Sequence, residues 1–379
     1  MLRFENVCKS YKKTNDEVVK NVSFEIEKGK LVVLIGPSGC GKTTCLKMIN
    51  RLEKISSGKI FINEKSNEEY DPIELRRSMG YVIQQIGLFP HMTIRDNIEI
   101  IQRLSGIENE KIVSRTSDLM KMISLDEDYL NRYPTQLSGG QLQRIGVARA
   151  FAMDPEIILM DEPFSALDPL TRTQLQDELI FIQNRIKKTI VFVTHDMNEA
   201  IKLADKICIM KNGSIVQYDT PENIMKYPKD DYVSNFVGRN RIWSNPKYIH
   251  ARDIMIENPF VVPEEMPLIR CIEQMRIKHV TSAMVLDDND DFIGIVKGKD
   301  VQSLINKEIP VKDVCEYPGV VAHEKDNLLD LISIFDRGKL TYLPVLNDLN
   351  KLIGIITQSS LVTALSQQYM NSEEVNNNA

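Results

Sequence analysis

With 379 residues, the chain exceeds one ordinary domain of roughly 150 residues and has room for two or three. Its 42% hydrophobic and 26% charged residues are those of a folded globular protein rather than a disordered or fibrous one. A formal net charge of −6 argues against a broad phosphate-binding surface, and so against a dedicated nucleic-acid binder. No run approaches the ~20 apolar residues of a membrane-spanning helix, and the opening MLRFENVCKS has no apolar signal core, so a cytoplasmic location is expected. The six cysteines, Cys8, Cys40, Cys45, Cys208, Cys271 and Cys315, show neither CxxC pairs nor histidines at zinc spacing, which predicts reduced thiols and no metal held by them.

Along the chain, KLVVLIG (30–36), EIILMD (156–161) and TIVFVTHD (189–196) are apolar runs without polar alternation, the pattern of strands buried on both faces. Helical stretches separate them, so the expected fold is α/β, a mostly parallel sheet with functional loops at the strands' C-terminal ends. The first strand leads into Gly36-Pro37-Ser38-Gly39-Cys40-Gly41-Lys42-Thr43, which fits GxxxxGK[ST] and is followed by the helix-like TTCLKMI beginning Thr43-Thr44. Glycines let backbone amides close around a phosphate, and the helix N-terminus adds a favourable dipole. Lys42 then faces the β- and γ-phosphates of ATP, and Thr43 offers a hydroxyl to Mg²⁺. Cys40 lies inside this loop with nothing in sequence to mark it as activated, and reads as a filler. A second helix start, Leu137-Ser138-Gly139-Gly140-Gln141 before LQRIGVARAFA, offers a hydroxyl and bare amides to another anion. One ATP has little use for two such loops from one chain, which suggests that the second serves a nucleotide held by another copy. The strand at 157–160 delivers two adjacent acids: Asp161 to hold Mg²⁺ through water, and Glu162 to polarise the attacking water as general base.

The first domain is expected to span residues 1–237. The stretch 238–252 contains Arg239, Arg241, Lys247 and Arg252, a proline and no acidic residue, and reads as a linker. Of these, Arg239, Arg241 and Lys247 are candidates for sensing ionic strength, since screening weakens contacts between exposed charges. Beyond it the chain repeats at a spacing of 60 residues: Asp253 matches Asp313, Val285 matches Val345, and IGI at 293–295 matches IGI at 353–355. The copies, 253–306 and 307–366, each read as an amphipathic helix (267–278 and 326–337), an apolar strand, an Asp/Asn turn and a second strand. Residues 367–379 form a polar tail, expected to be disordered.

The Leu137–Gln141 sequence, lying between the phosphate loop and the Asp161-Glu162 strand, closely resembles the signature of ATP-binding-cassette ATPases, and the resemblance extends over residues 1 to about 237. It implies a P-loop cassette in which Tyr11 stacks on adenine, Gln84 joins Mg²⁺ and water, His195 contacts the γ-phosphate, and Asp168, in Ser165-Ala166-Leu167-Asp168, couples two sites. From the residues alone, Tyr11 could instead be a surface aromatic, Gln85 could take the role of Gln84, and His195 could be structural. In the family two cassettes dimerise head to tail, the Lys42 loop of one copy and the Ser138 loop of the other enclosing each ATP. The stretch Ile86–Thr93 resembles the region where importers dock a permease's coupling helix, with Leu88 and Phe89 as contacts or, equally, as core.

The paired repeats resemble CBS domains, an α+β module. A cassette followed by two of them looks like the ATPase subunit of importers for glycine betaine, carnitine, choline or proline betaine, which implies permease subunits and a substrate-binding protein as partners at the cytoplasmic face of the membrane. Alternatives are an importer ATPase for another solute, a cassette machine outside transport, or a CBS-regulated scaffold. The absence of heptads and of a large basic domain speaks against nucleic acid as a partner. CBS pairs often bind adenine nucleotides, and in such importers are linked to cyclic di-AMP or ionic strength. Here Lys297-Gly298-Lys299-Asp300 keeps the acid of the usual ribose-phosphate pattern and Thr357-Gln358-Ser359-Ser360 keeps the hydroxyl, so neither copy is complete. Nucleotide binding, salt sensing and simple dimerisation all stay open at this point.

Overall fold

Uninterrupted apolar runs become strands with every residue buried: β3 (Leu31–Ile35), β7 (Ile157–Asp161) and β8 (Thr189–Thr194), in the order of the sequence expectation. The computed structural model describes residues 1–11, 17–84, 87–238, 241–301, 309–338 and 340–376; Gln85, Ile86, Arg239 and residues 377–379 of the tail lie outside them. The chain divides into two units, Met1–Val237 and Gly238–Ala379.

In the first unit, β3, β7 and β8 join β6 (Met79–Val82), β9 (Lys206–Lys211) and β10 (Ser214–Asp219) in a six-stranded sheet, ordered β10-β9-β3-β8-β7-β6. All neighbours run parallel except β10, which returns antiparallel to β9. A second, four-stranded antiparallel sheet contains β1 (Leu2–Ser10), β2 (Glu17–Ile26), β4 (Ser57–Ile62) and β5 (Lys65–Ser66). Helix α1 (Lys42–Ile49) buries Cys45, Leu46, Met48 and Ile49 in the core that both sheets share with Phe4, Ile60, Leu34 and Val191. Since α1 is held by packing on more than one side, the loop that feeds it is fixed in place.

Between β6 and β7 come α3 (Ile94–Leu104), α4 (Asn109–Met122) and α5 (Gly139–Phe151), preceded by the short α2 (Pro72–Arg77). Thr93 caps α3 and Ser138 caps α5 through their hydroxyls. After β7 and β8 come α6 (Pro169–Ile186) and α7 (Met197–Leu203), capped by the carboxylates of Asp168 and Asp196, and after β10 come α8 (Pro221–Lys226) and α9 (Asp231–Val237).

In the second unit the repeat is visible, and it is interlocked. The first copy contributes α10 (Ala251–Ile254), β11 (Ile256–Glu257), β12 (Val261–Pro263), α11 (Leu268–Ile277), β13 (Ser282–Leu286) and β14 (Phe292–Lys297). The second contributes β15 (Ala322–His323), α12 (Leu328–Gly338), β16 (Tyr342–Leu346), β17 (Leu352–Thr357) and α13 (Gln358–Asn376). Strand β11 of the first copy pairs with β17 of the second, and Glu316, 60 residues on, bridges Ile295 of β14. The cores are exchanged in the same way: Ile249 and Ala251 pack with Leu328 and Leu343, whereas Val311 packs with Leu268 and Val285. The glycine of each IGI lies beneath the crossing segment; a Cβ at Gly354 would stand 2.5 Å from Met255 Sδ, and one at Gly294 3.0 Å from Cys315 Sγ.

Two expectations are corrected. The stretch 238–252 is not a solvated linker throughout, because Ile249 and Ala251 are buried and Ile242 and Trp243 pack on the second copy's core; the basic residues around them masked these apolar ones. The polar tail from 367 is helical to Asn376, because α13 continues through Ser, Glu and Asn residues without Gly or Pro.

Candidate active site

Four adjacent strands, β3, β8, β7 and β6, present their C-terminal ends side by side, and the sequence places a polar loop after each. The neighbours are therefore the Gly36–Thr43 loop, His195, Asp161-Glu162 and Gln84, which lie far apart in the chain.

The Gly36–Thr43 loop bends where only glycine fits. Gly41 has φ +98, and a Cβ there would lie 2.8 Å from the Val18 carbonyl oxygen. Lys42 is 6% exposed, and its ammonium donates to the carbonyls of Gly36 at 2.8 Å and Pro37 at 3.0 Å. These bonds hold a charge that burial would otherwise penalise. Cys40 is buried with its Sγ 4.0 Å from the Lys42 Nζ; burial pushes the thiol up, with Lys42 opposing, so the thiol is not activated.

At the start of α1, Thr43 Oγ1 donates to Asp161 Oδ1 at 2.7 Å. Burial raises the Asp161 carboxyl above its ordinary value, with the Thr43 bond, Lys47 and Lys42 opposing. A hydroxyl and a carboxylate at hydrogen-bond distance are a hard-oxygen pair of the kind Mg²⁺ takes, so the residues fit that ion. Thr44 follows in the same first turn, half-buried.

Glu162 follows β7 at φ 44, in the left-handed region, with its N–H donating to the Val193 carbonyl at 3.0 Å. The turn aims its carboxylate sideways: Oε2 lies 3.1 Å from His195 Nδ1 and accepts from Gln84 Nε2 at 3.5 Å. Gln84, Glu162 and His195 are thus brought together, and Gln84 meets the second acid rather than standing apart from it. The Ser165 hydroxyl donates to the Glu162 carbonyl at 3.0 Å and braces the turn.

Ser138 and Gln141 form a reciprocal cap. Ser138 Oγ accepts from the Gln141 N–H at 3.4 Å, and Gln141 Oε1 accepts from the Ser138 N–H at 2.9 Å. Gln141 Nε2 also donates to Tyr129 OH at 3.2 Å. The Gly139 and Gly140 amides open the helix between these two residues. Asp168 accepts from Thr171 N–H at 3.0 Å, and backbone hydrogen bonding holds its carboxyl below the usual range. Tyr11 is exposed, its ring 4.8 Å from the Lys9 ammonium.

Residues that drew no notice in the sequence support the site. Asn97, fully buried on α3, accepts from the Phe89 N–H at 2.7 Å and donates to the carbonyls of Phe89, Met92 and Thr93 at 2.9 to 3.2 Å. Arg149 Nη1 donates to the Gly87 carbonyl at 2.7 Å, and burial lowers its guanidinium's pKa. Both hold the loop after Gln84, and Phe89 and Arg149 line a cavity of about 450 Å³ with Arg76, Arg77, Tyr81 and Ile100. Only a polar residue within an apolar helix face, Asn97 among IRDNIEII, hinted at this. In the second unit, a cavity of about 530 Å³ is lined by Lys297, Lys299, Asp300, Tyr342 and Thr357, so the acid kept by one copy and the hydroxyl kept by the other face the same space. Among the described residues no group of three or more His, Cys, Asp and Glu suited to a metal ion occurs, and no helix is long and apolar enough to cross a membrane.

The family described as "ABC transporter" matches residues 19–165, and that described as "CBS domain" matches 251–307 and 308–367. The chain is 45% identical to the carnitine transport ATP-binding protein OpuCA of Listeria monocytogenes, over 96% of this chain and 91% of that protein. It is 44% identical to the glycine betaine/carnitine/choline transport ATP-binding protein OpuCA of Bacillus subtilis, over 99% and 98%. It is 45% identical to the choline transport ATP-binding protein OpuBA of the same organism, over 96% and 95%. Among solved structures, the ATP-binding cassette MJ0796, a dimer in a post-hydrolysis state bound to ADP and Pi, is 36% identical with a TM-score of 0.54, covering 58% of this chain and 99% of that one. On these matches the chain belongs to the ABC transporter family as an ATP-binding, ATP-hydrolysing subunit with a C-terminal CBS pair.

Proposed function

We propose that this subunit powers the import of quaternary-amine osmoprotectants of the glycine betaine, carnitine and choline class. The observation that carries this reading is the meeting of Gln84, Glu162 and His195 beside the Thr43–Asp161 pair, on a chain whose relatives over nearly its whole length are named for carnitine, glycine betaine and choline transport.

In this reading the cassette occupies residues 1–237, and residues 238–252 lead into the CBS repeats at 253–306 and 307–366. Gly36, Pro37, Ser38, Gly39, Cys40, Gly41, Lys42 and Thr44 wrap the phosphates of ATP, Tyr11 stacks on adenine, and Thr43, Asp161 and Gln84 would hold Mg²⁺, which would supply charge neutralisation to the phosphates. Glu162 takes the proton of the attacking water, and His195, 3.1 Å from that carboxylate, holds it in register and meets the γ-phosphate. The phosphorus–oxygen bond to the leaving ADP breaks as the bond to the water oxygen forms. Ser138, Gly139, Gly140 and Gln141 close over the ATP of a second copy, head to tail, and Asp168 joins the two sites. The dimeric MJ0796 cassette supports that assembly.

The cavity lined by Phe89, Tyr81 and Arg149 takes the cytoplasmic helix of a permease, which places the subunit at the inner face of the membrane with a substrate-binding protein on the other side. The loop at 87–93 that feeds this cavity starts directly after Gln84 and the two residues beyond it, so nucleotide and permease bear on one segment. The second unit regulates: the cavity with Asp300 and Thr357 is large enough for an adenine nucleotide or part of a cyclic di-AMP, to be tested by calorimetry with AMP, ATP and cyclic di-AMP. The proposed function is tested by co-expressing the subunit with its permease and measuring solute-stimulated ATP hydrolysis. Stimulation by betaine, carnitine or choline is expected; stimulation by a chemically unrelated solute alone overturns the substrate class.

A further inference from the structure

His195 is exposed, with 63% of its side chain accessible against 19% for Glu162, yet both residues that flank it are tied into a network around the buried Glu199 that does not include it. On its N-terminal side, Thr194 Oγ1 accepts from the Asp196 N–H at 3.0 Å and donates to Glu199 Oε2 at 2.6 Å. On its C-terminal side, Asp196 caps α7 and faces Arg172 Nη1 at 3.8 Å. Glu199, 5% exposed, also accepts from Gln176 Nε2 at 3.4 Å. Burial raises its carboxyl, opposed by Thr194, Arg172 and Gln176.

Arg172 connects this network to the loop at the start of α6. Its Nη2 donates to the Leu167 carbonyl at 3.1 Å, one residue before Asp168, and its own N–H donates to the Asp168 carbonyl at 2.9 Å. Its Nε is buried, makes no hydrogen bond among the described residues, and stands 4.0 Å from Glu199 Oε1. A charge-assisted bond of this type closes to about 2.7–2.9 Å, so the joint is open by roughly 1 Å. Oε1 already accepts the long Gln176 bond, so the unsatisfied partner is the Nε donor, and a buried donor left without a bond is costly unless it bonds in another state of the protein.

We propose that Arg172 and Glu199 are positioning residues: the pair closes when the Asp168 loop shifts, and through Thr194 and Asp196 that closure sets His195 against Glu162. The Asp168 loop and the His195 loop of one copy are in this way linked through a guanidinium and a carboxylate. The proposal rests on the reading of Glu162 and His195 as the hydrolytic pair. Glu199→Gln keeps an acceptor for Thr194 but removes the charge, and Arg172→Lys keeps the charge but removes the forked donor, so each separates position from packing.

Both variants are made in the full chain, with Mg-ATP kinetics, the thermal midpoint and the imidazole proton resonances measured on each. With five histidines in the chain, the His195 signal is identified by its loss in a His195→Asn sample. Each variant is expected to lower kcat about tenfold while KM for ATP changes less than about threefold, the signature of a contact made on the way to the transition state. The His195 resonance is expected to move while those of the other histidines stay, which a loss of general packing would not produce. An unmoved His195 resonance, wild-type turnover in both variants, or a loss of activity that follows the thermal midpoint overturns the proposal. A wild-type protein that hydrolyses no ATP overturns the underlying reading instead.

Discussion

Glu162 pays for its place with backbone strain, at φ 44 and with a side chain only 19% exposed, and the outcome is a carboxylate held against His195 and Gln84. Replacing it by glutamine preserves shape and removes the base. Turnover of Glu162→Gln is expected to fall at least about a hundredfold while ATP still binds, checked by phosphate release and by equilibrium binding. Asp161 makes the opposite trade. Its raised carboxyl means that the folded state favours the protonated form, so stability is present below the ordinary carboxylate range and is lost as pH rises through the raised value. At neutral pH the charged form therefore costs stability, and Asp161→Asn should raise the thermal midpoint without Mg²⁺ while abolishing the gain that Mg-ATP gives. The phosphate loop and the paired acids were legible in the sequence because their spacing is local and their glycines are forced by backbone geometry. Asn97, Arg172 and Glu199 were not, because on helices a single polar residue has the same signature whether it faces water or a buried network.

At the scale of elements, α3 and α5 bracket the loop that follows Gln84. Asn97 satisfies that loop's backbone with four hydrogen bonds, three donated and one accepted. Asn97→Ala should cost about 1–3 kcal/mol, from unsatisfied buried groups, and should weaken permease co-purification more than ATP binding. Urea unfolding and affinity pull-down separate the two effects. The cap of α5 has a double use, since Ser138 both starts the helix and, in the proposed dimer, faces the other copy's nucleotide. Ser138→Ala should cost about 1 kcal/mol of stability and, beyond that, lower turnover at saturating ATP. The strands that carry the site were legible as apolar runs, and the helices after the strand ends followed from α/β alternation. Which strand lies beside which was not, because the order β9-β3-β8-β7-β6 is a tertiary choice that no single run encodes.

Over the whole molecule, the 60-residue period declared two equivalent segments but not their exchange. Periodicity reports that β11 and the segment at Glu316 are alike; it does not report that each completes the other's sheet. The buried apolar residues Ile249 and Ala251 were hidden in the same way, within a stretch whose basic side chains suggested a connector. One repeat alone, residues 251–307, should therefore remain unfolded or self-associate, whereas residues 238–379 should fold as a unit with a cooperative thermal transition, as circular dichroism and light scattering would report.

In the proposed transporter, ATP cleavage at Glu162 does mechanical work on a permease. The direct measurement is uptake of radiolabelled glycine betaine, carnitine and choline into proteoliposomes holding the complete transporter, with ATP on the side of this subunit. ATP-dependent accumulation of at least one of them, lost in Glu162→Gln, is the predicted result; equal accumulation with wild-type and Glu162→Gln subunits would contradict it.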